Sequence, residues 1–192
     1  MIGSHNSLTY LPPKNIIGKL LLPWTRCQNM NLVEQYIKGV NYFDIRVRFK
    51  KGKAQIVHNH IVFNGDINAE LDKLNNAVTK PVYLRIILDI RKKPKDYAEQ
   101  TADFLSFLSF IDYKFPKLKI DSAITYWDWH ELRSPKIIVT ECHASVISPW
   151  YDFIFGIEYC RWILFYTRDE YYKYSIFKKE LDKVLLVDYV GK

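Results

Sequence analysis

Seven consecutive residues, Phe43-Asp44-Ile45-Arg46-Val47-Arg48-Phe49, alternate apolar and charged side chains without a break. That period of two is the period of a β-strand, so Phe43, Ile45, Val47 and Phe49 share one face while Asp44, Arg46 and Arg48 share the other. A strand that presents a carboxylate and two guanidinium groups on one face suits the polar inside of a barrel mouth better than a solvated outer surface. The rest of the chain has to supply neighbours for both faces.

Those neighbours are legible as alternating strands and helices. Residues 1–7 open with a short strand that ends near His5. Asn29 or Asn31 can cap a helix in which Leu32, Val33, Tyr36 and Ile37 recur at helical spacing, and Gly39 ends it before the strand at 42–49. Residues 54–60 form the next strand after a basic turn at Gly52, and residues 67–78 form a helix. The longest strand signal is 81–89, with Tyr83, Arg85, Ile87 and Asp89 on one face. Residues 97–111 read as an amphipathic helix whose packed stripe is Ala98, Ala102, Leu105 and Leu108. Three shorter strands are expected after it, at 136–140, 162–166 and 184–190.

Strand and helix alternation of this kind builds a parallel sheet, and the polar inner face of the 42–49 strand fits the mouth of a barrel. The fold expected is α/β, a single-domain (β/α) TIM-type barrel over residues 1–192. Such barrels usually take about 250 residues. At 192 residues, 48% hydrophobic and 16% aromatic, this chain can bury a sizeable core but has no room for a second full domain, so a compact or irregular barrel with short or missing helices is expected.

The charged residues near the strand ends match the needs of one reaction, the splitting of a phosphodiester. An attacking alcohol must lose a proton, the departing oxygen must gain one, and the phosphoryl oxygens must be held meanwhile. Imidazoles titrate near neutral pH and can serve as base in one place and acid in another, which suits His5 and the pair His58 and His60. An arginine such as Arg46 can grip phosphate through two parallel hydrogen bonds without losing its charge. A carboxylate can fix the tautomer of the base.

Three stretches carry a resemblance to a known family: Gly3-Ser4-His5-Asn6-Ser7, the segment 39–46 that includes Tyr42-Phe43-Asp44-Ile45-Arg46, and Ile56-Val57-His58. Together they resemble the catalytic X region of phosphatidylinositol-specific phospholipase C, densely over the first third of the chain and thinly afterwards. The resemblance implies that His5 is the general base acting on the inositol 2-hydroxyl, that Arg46 binds the phosphate beside Asp44, and that His58 protonates the leaving diacylglycerol oxygen. In the family the acid is usually followed by Gly, whereas this chain reads His58-Asn59-His60, so His60 stands as the alternative acid. Two residues apart on one strand, the two histidines would face the same side. His58 is preferred for its hydrophobic lead-in.

The resemblance also bears on metals. Members that use calcium carry a second acidic residue where this chain has Arg46, and bacterial-type members carry arginine. No metal and no cofactor are therefore expected, calcium being less favoured because a cluster of hard oxygen ligands is missing. Asn6 is placed among the substrate contacts and does not decide between the branches.

Further candidates rest on position. Asp188, at the end of the strand at 184–190, resembles the carboxylate that orients the base histidine; a solvent-facing Asp is the other reading. Arg85 and Asp89 are candidate headgroup ligands, or else partners in an internal salt bridge. Glu141 and His143, and Arg168 and Asp169, follow expected strands at the end where parallel barrels gather their active-site groups. His130 reads as a loop or helix-cap residue. Cys27, Cys142 and Cys160 are too few for a disulfide framework and match no zinc spacing, so buried thiols are expected.

A net charge of +7 favours an anionic partner. The partner expected is an inositol phospholipid or another phosphodiester, with peripheral association to an anionic membrane. Residues 149–156, Pro-Trp-Tyr-Asp-Phe-Ile-Phe-Gly, could give interfacial aromatics, although core packing is the preferred reading. Nucleic acid is not expected, because the basic residues are scattered rather than gathered on one element. No signal-peptide pattern and no apolar run of about 20 residues is present, which places the chain in the cytoplasm or at a membrane surface as an expectation.

Overall fold

A computed structural model describes residues 2–90, 97–125, 131–133, 138–141 and 183–187. At its centre, β1 (Ile2–Ser4) lies between β2 (Tyr42–Lys50) and β9 (Lys183–Val187), parallel to both. Beyond β9 runs β8 (Ile138–Glu141), and beyond β2 run β5 (Val82–Leu88) and β6 (Leu118–Thr125), all parallel to their neighbours. β7 (Glu131–Arg133) pairs antiparallel with β6. The order β7-β6-β5-β2-β1-β9-β8 sets the first strand of the chain beside the last described one, as a barrel requires.

The excursion between β2 and β5 is irregular in the way a short barrel allows. β2 turns directly into β3 (Lys53–His58) through Lys51 and Gly52, both with positive φ, and no helix intervenes. β3 then reverses within two residues into β4 (Ile61–Val62). The strand expected over 54–60 therefore stops at His58, and 59–60 form the turn into β4. Asn59, at φ 56°, turns the chain, so the period of two stops at His58 and the expectation that His58 and His60 share a face fails.

Local signals explain the helices. In α1 (Ile16–Thr25), Asn15 caps the N-terminus by accepting from the Gly18 N–H at 2.7 Å. α2 (Leu32–Ile37) starts with a reciprocal box in which the Asn31 side chain accepts from Glu34 N–H and the Glu34 carboxylate accepts from Asn31 N–H. Gly39 ends it at φ 92°, which a side chain would resist. Asp66 caps α3 (Ile67–Ala77), and α4 (Tyr97–Lys114) follows β5.

The two faces of β2 separate as the alternation predicts. Phe43, Ile45, Val47 and Phe49 join the core under the helices, where Phe49 meets Phe104 and Phe107 at ring-centroid distances of 6.3 and 5.8 Å. α4 is rotated relative to its expected stripe. Its buried side chains are Gln100, Phe104, Phe107, Leu108 and Ile111, and Leu105 is exposed, because burying two phenylalanines against Phe49 removes more apolar area from water than burying alanines. The expected strand at 162–166 lies outside the described residues.

Candidate functional site

His5 follows the last residue of β1, where the chain is still held against β2. The Ser7 N–H donates to the Asp44 carbonyl at 2.8 Å, and the Asn6 N–H to Asp44 Oδ2 at 3.2 Å. Asn6 adopts φ 45°, a left-handed conformation that asparagine tolerates better than most residues, and this bend carries the chain inward after His5. From β2, Asp44 and Arg46 rise on the same inner face. His5, Asn6, Asp44, Arg46 and His58 are all buried.

Their contacts assign protons. An Arg46 Nη2 hydrogen points at His5 Nε2 at 2.9 Å. A guanidinium can only donate, so His5 Nε2 is the lone-pair nitrogen and the neutral ring carries its proton on Nδ1. Asn6 Nδ2 donates to the same Nε2 at 3.0 Å. Asp44 Oδ2 stands 3.4 Å from Arg46 Nε and 3.9 Å from His5 Nε2, so a buried carboxylate balances the buried guanidinium. Asp44 Oδ1 and Asn6 Oδ1 are buried acceptors that find no hydrogen-bond donor among the described residues.

His58 faces an acceptor where His5 faces a donor. Its Nδ1 lies 2.7 Å from the Thr25 carbonyl, which can only accept, so Nδ1 carries a proton and Nε2 is the nitrogen that exchanges one. The two rings meet edge to face, centroids 6.2 Å apart and planes at 85°. Both rings thus carry a proton on Nδ1 and turn Nε2 to exchange, with a donor facing His5 and an acceptor facing His58.

The segment after α1 ties these parts together. Thr9 Oγ1 accepts from the N–H groups of both Cys27 and Gln28, at 2.9 and 3.0 Å, and Gln28 Nε2 donates to the His5 carbonyl at 3.1 Å. Cys27, a buried thiol as expected, has its Sγ 3.6 Å from Asn6 Nδ2 and 3.9 Å from His58 Nδ1. Neither Thr25, Gln28 nor Cys27 is visible as a site residue from sequence, since their part is played by a backbone carbonyl, a side-chain amide bound to backbone, and a weak acceptor.

The other candidates are dispersed. His60 is exposed in the β3–β4 turn. Arg85 is buried on β5 in register with Asp44 and with Ser122, one step deeper than Arg46. Deeper still, burial pushes the Tyr42 phenol well above the ordinary tyrosine range, with the carboxylate of Asp121 adding to the effect at 3.0 Å. Asp89, fully buried past the end of β5, accepts from the Asn59 N–H at 3.1 Å through Oδ2. Glu141 is the last residue of β8. Asp188, His143, His130, Arg168, Asp169, Cys142, Cys160 and residues 149–156 lie outside the described residues.

No family model matches the chain. A PI-PLC X-box domain-containing protein of Dictyostelium discoideum is 40% identical over 97 residues, which cover 45% of this chain and 13% of that protein's length. Among solved structures, the phosphatidylinositol-specific phospholipase C from Listeria monocytogenes aligns with 98% of this chain and 87% of its own, at TM-score 0.58 and 14% identity. A mutant of the phosphatidylinositol-specific phospholipase C from Staphylococcus aureus aligns with 100% of this chain and 85% of its own, at TM-score 0.60 and 12% identity. At such identities the structures speak for the fold, which is the irregular TIM-type barrel expected from the sequence.

Proposed function

We propose that this chain, PI-PLC-like in its X-box sequence match and in its barrel fold, is a phosphodiesterase that acts on phosphatidylinositol or a related inositol phospholipid, with residues 1–192 as one catalytic domain. The observation that carries the reading is the pairing of two buried histidines, one facing a guanidinium donor and the other a carbonyl acceptor, with Arg46 beside them. His5 Nε2 takes the proton of the inositol 2-hydroxyl as that oxygen bonds to phosphorus. The bond from phosphorus to the glycerol oxygen breaks, and His58 Nε2 gives its proton to that oxygen. The products are a cyclic inositol phosphate and diacylglycerol, and each histidine is left in the protonation state the other began with.

Arg46 holds the phosphoryl oxygens in this scheme, exchanging its contact with His5 for one with the anion. Asp44 fixes Arg46, and Asp188, the residue after the end of β9, is the proposed carboxylate for His5. The unpaired acceptors Asn6 Oδ1 and Asp44 Oδ1 would gain donors from substrate hydroxyls, which offsets the cost of burying them. A guanidinium paired with Asp44 supplies the positive charge at the phosphate, and this supports a metal-independent reaction. Asn59 removes one objection. The family's Gly after the acid is replaced here by a residue that tolerates the left-handed conformation it adopts.

An anionic membrane is the proposed partner surface. α1 exposes Ile16, Ile17 and Leu20 together, with Lys14 and Lys19 beside them, and its last residue supplies the carbonyl that anchors His58. Among the described residues no helix is long and apolar enough to cross a membrane.

Vesicles separate the readings. Diacylglycerol should be released from phosphatidylinositol and not from phosphatidylcholine, whose headgroup lacks the neighbouring hydroxyl. Binding without release would favour a headgroup-binding module, and cleavage of soluble glycerophosphodiesters alone would favour a different substrate.

A further inference from the structure

We propose that Arg48, with Asp89, is a positioning device for the general acid, an inference that rests on reading His58 as that acid. His58 ends a strand whose registered pairing with the barrel stops short of it. The pairing of β3 with β2 ends at Val47 opposite Ile56, two residues before His58, and among the described strands β4 pairs with β3. The chain then reverses at Asn59 in a left-handed conformation. Something must fix this turn if His58 is to keep its place against His5.

Arg48 and Asp89 fix both backbone groups of Asn59. Arg48 Nη2 donates to the Asn59 carbonyl at 2.9 Å, and Asp89 Oδ2 accepts from the Asn59 N–H at 3.1 Å. The same guanidinium reaches back to the barrel, donating from Nε at 3.0 Å and from Nη2 at 2.9 Å to the Asp89 carbonyl. One planar fork therefore joins the end of β5 to the residue next to His58. A lysine ammonium lacks the rigid geometry to serve both carbonyls. Arg48 stands on the inner face of β2 beside Arg46, and the hydrogen bonds named above run from its guanidinium to backbone carbonyls. Asp89, first a headgroup candidate, is assigned to the clamp. Among the described residues, the charged and titratable groups around His58 include His5, with Arg46 and Asp44 behind it, Cys27 beside Nδ1, and Arg48 and Asp89 across the turn.

A clamp on the acid alone has a specific signature. An alkoxide such as the glycerol oxygen needs a proton to leave, whereas a nitrophenolate does not. In Arg48→Lys and Arg48→Met, turnover of phosphatidylinositol should fall by about a hundredfold at little change in KM, the scale of loss from a small misplacement of a reacting group. Cleavage of an inositol nitrophenyl phosphate by the same variants should stay within a few-fold of wild type. Asp89→Asn, which keeps a neutral acceptor for the Asn59 N–H, should show the same selectivity more weakly. Equal losses on both substrates, or none, would overturn the proposal. His58→Ala, measured alongside, separates the two levels. If it shows the selectivity and the Arg48 variants do not, the clamp is wrong. If it shows no selectivity, His58 is not the acid and the underlying reading fails. A readout free of turnover is the His58 ring resonance, identified by its loss in His58→Ala, which should shift in Arg48→Met.

Discussion

His5 and His58 lie edge to face with their ring centroids 6.2 Å apart, and each is tied to a different kind of partner. A donor, Arg46 Nη2, faces His5, and an acceptor, the Thr25 carbonyl, faces His58. Both neutral rings keep a proton on Nδ1 and leave Nε2 to exchange one, and the proposed reaction divides the roles of base and acid between them.

His5→Ala and His58→Ala should each lower kcat for phosphatidylinositol by about a hundred- to ten-thousand-fold.

Arg46→Lys keeps the charge but loses the planar fork that spans His5 and Asp44. A loss of about a hundredfold or more in kcat is expected, as for removal of one aligned donor from a charge-stabilising site. Added chelator should leave both wild type and variant unchanged in rate.

Cys27 touches both halves of the site, with Sγ near Asn6 Nδ2 and His58 Nδ1. Sulfur is a weak acceptor, so Cys27→Ala should cost about 1 kcal/mol at the transition state, near fivefold in rate. Cys27→Leu would put bulk between the histidine-bearing segments and should abolish turnover while the far-ultraviolet circular dichroism stays native.

Exposed Ile16 and Leu20 on α1 should act at the membrane and not in the chemistry. Ile16→Asp with Leu20→Asp should weaken sedimentation with anionic vesicles by tenfold or more, given about 2 kcal/mol for full burial of each aliphatic side chain. Cleavage of a soluble inositol phosphodiester should be unaffected.

Two phenols link stability to alkaline pH. Burial holds the Tyr42 hydroxyl protonated above its ordinary range with Asp121 beside it, and burial with the Glu70 carboxylate does the same for Tyr10. Below about pH 10 both folded and unfolded chains keep these protons, so neither phenol changes stability with pH there. Above that, only the unfolded chain releases them, and urea midpoints should fall as pH rises. Tyr10→Phe should flatten that fall, at some cost in stability near neutral pH from the lost bond to Glu70.

What could be read in advance follows the strength of each local pattern. The inner face of β2 was legible because seven residues alternate without interruption, and α2 because Asn31, Glu34 and Gly39 mark both ends. β6 was not, since its inward residues include Asp121 and Ser122, which mask the alternation of a buried strand. α1 was hidden by its composition, an apolar run with Gly18 and Pro23 and no polar face to give a helical period. Of the site, the residue types and their order were legible. The choice between His58 and His60 hinges on a left-handed turn at Asn59, and the anchors of His58 are backbone carbonyls, which every residue has.

The central claim is that His5 drives a metal-independent transfer of phosphorus to the neighbouring hydroxyl. Phosphorus NMR of the protein with phosphatidylinositol vesicles and excess chelator, run beside His5→Ala, addresses it most directly. The account predicts the resonance of a cyclic phosphodiester with wild type and none with His5→Ala. The same signal from both proteins would contradict the role of His5, and its absence from wild type, even after calcium is restored, would contradict the reaction itself.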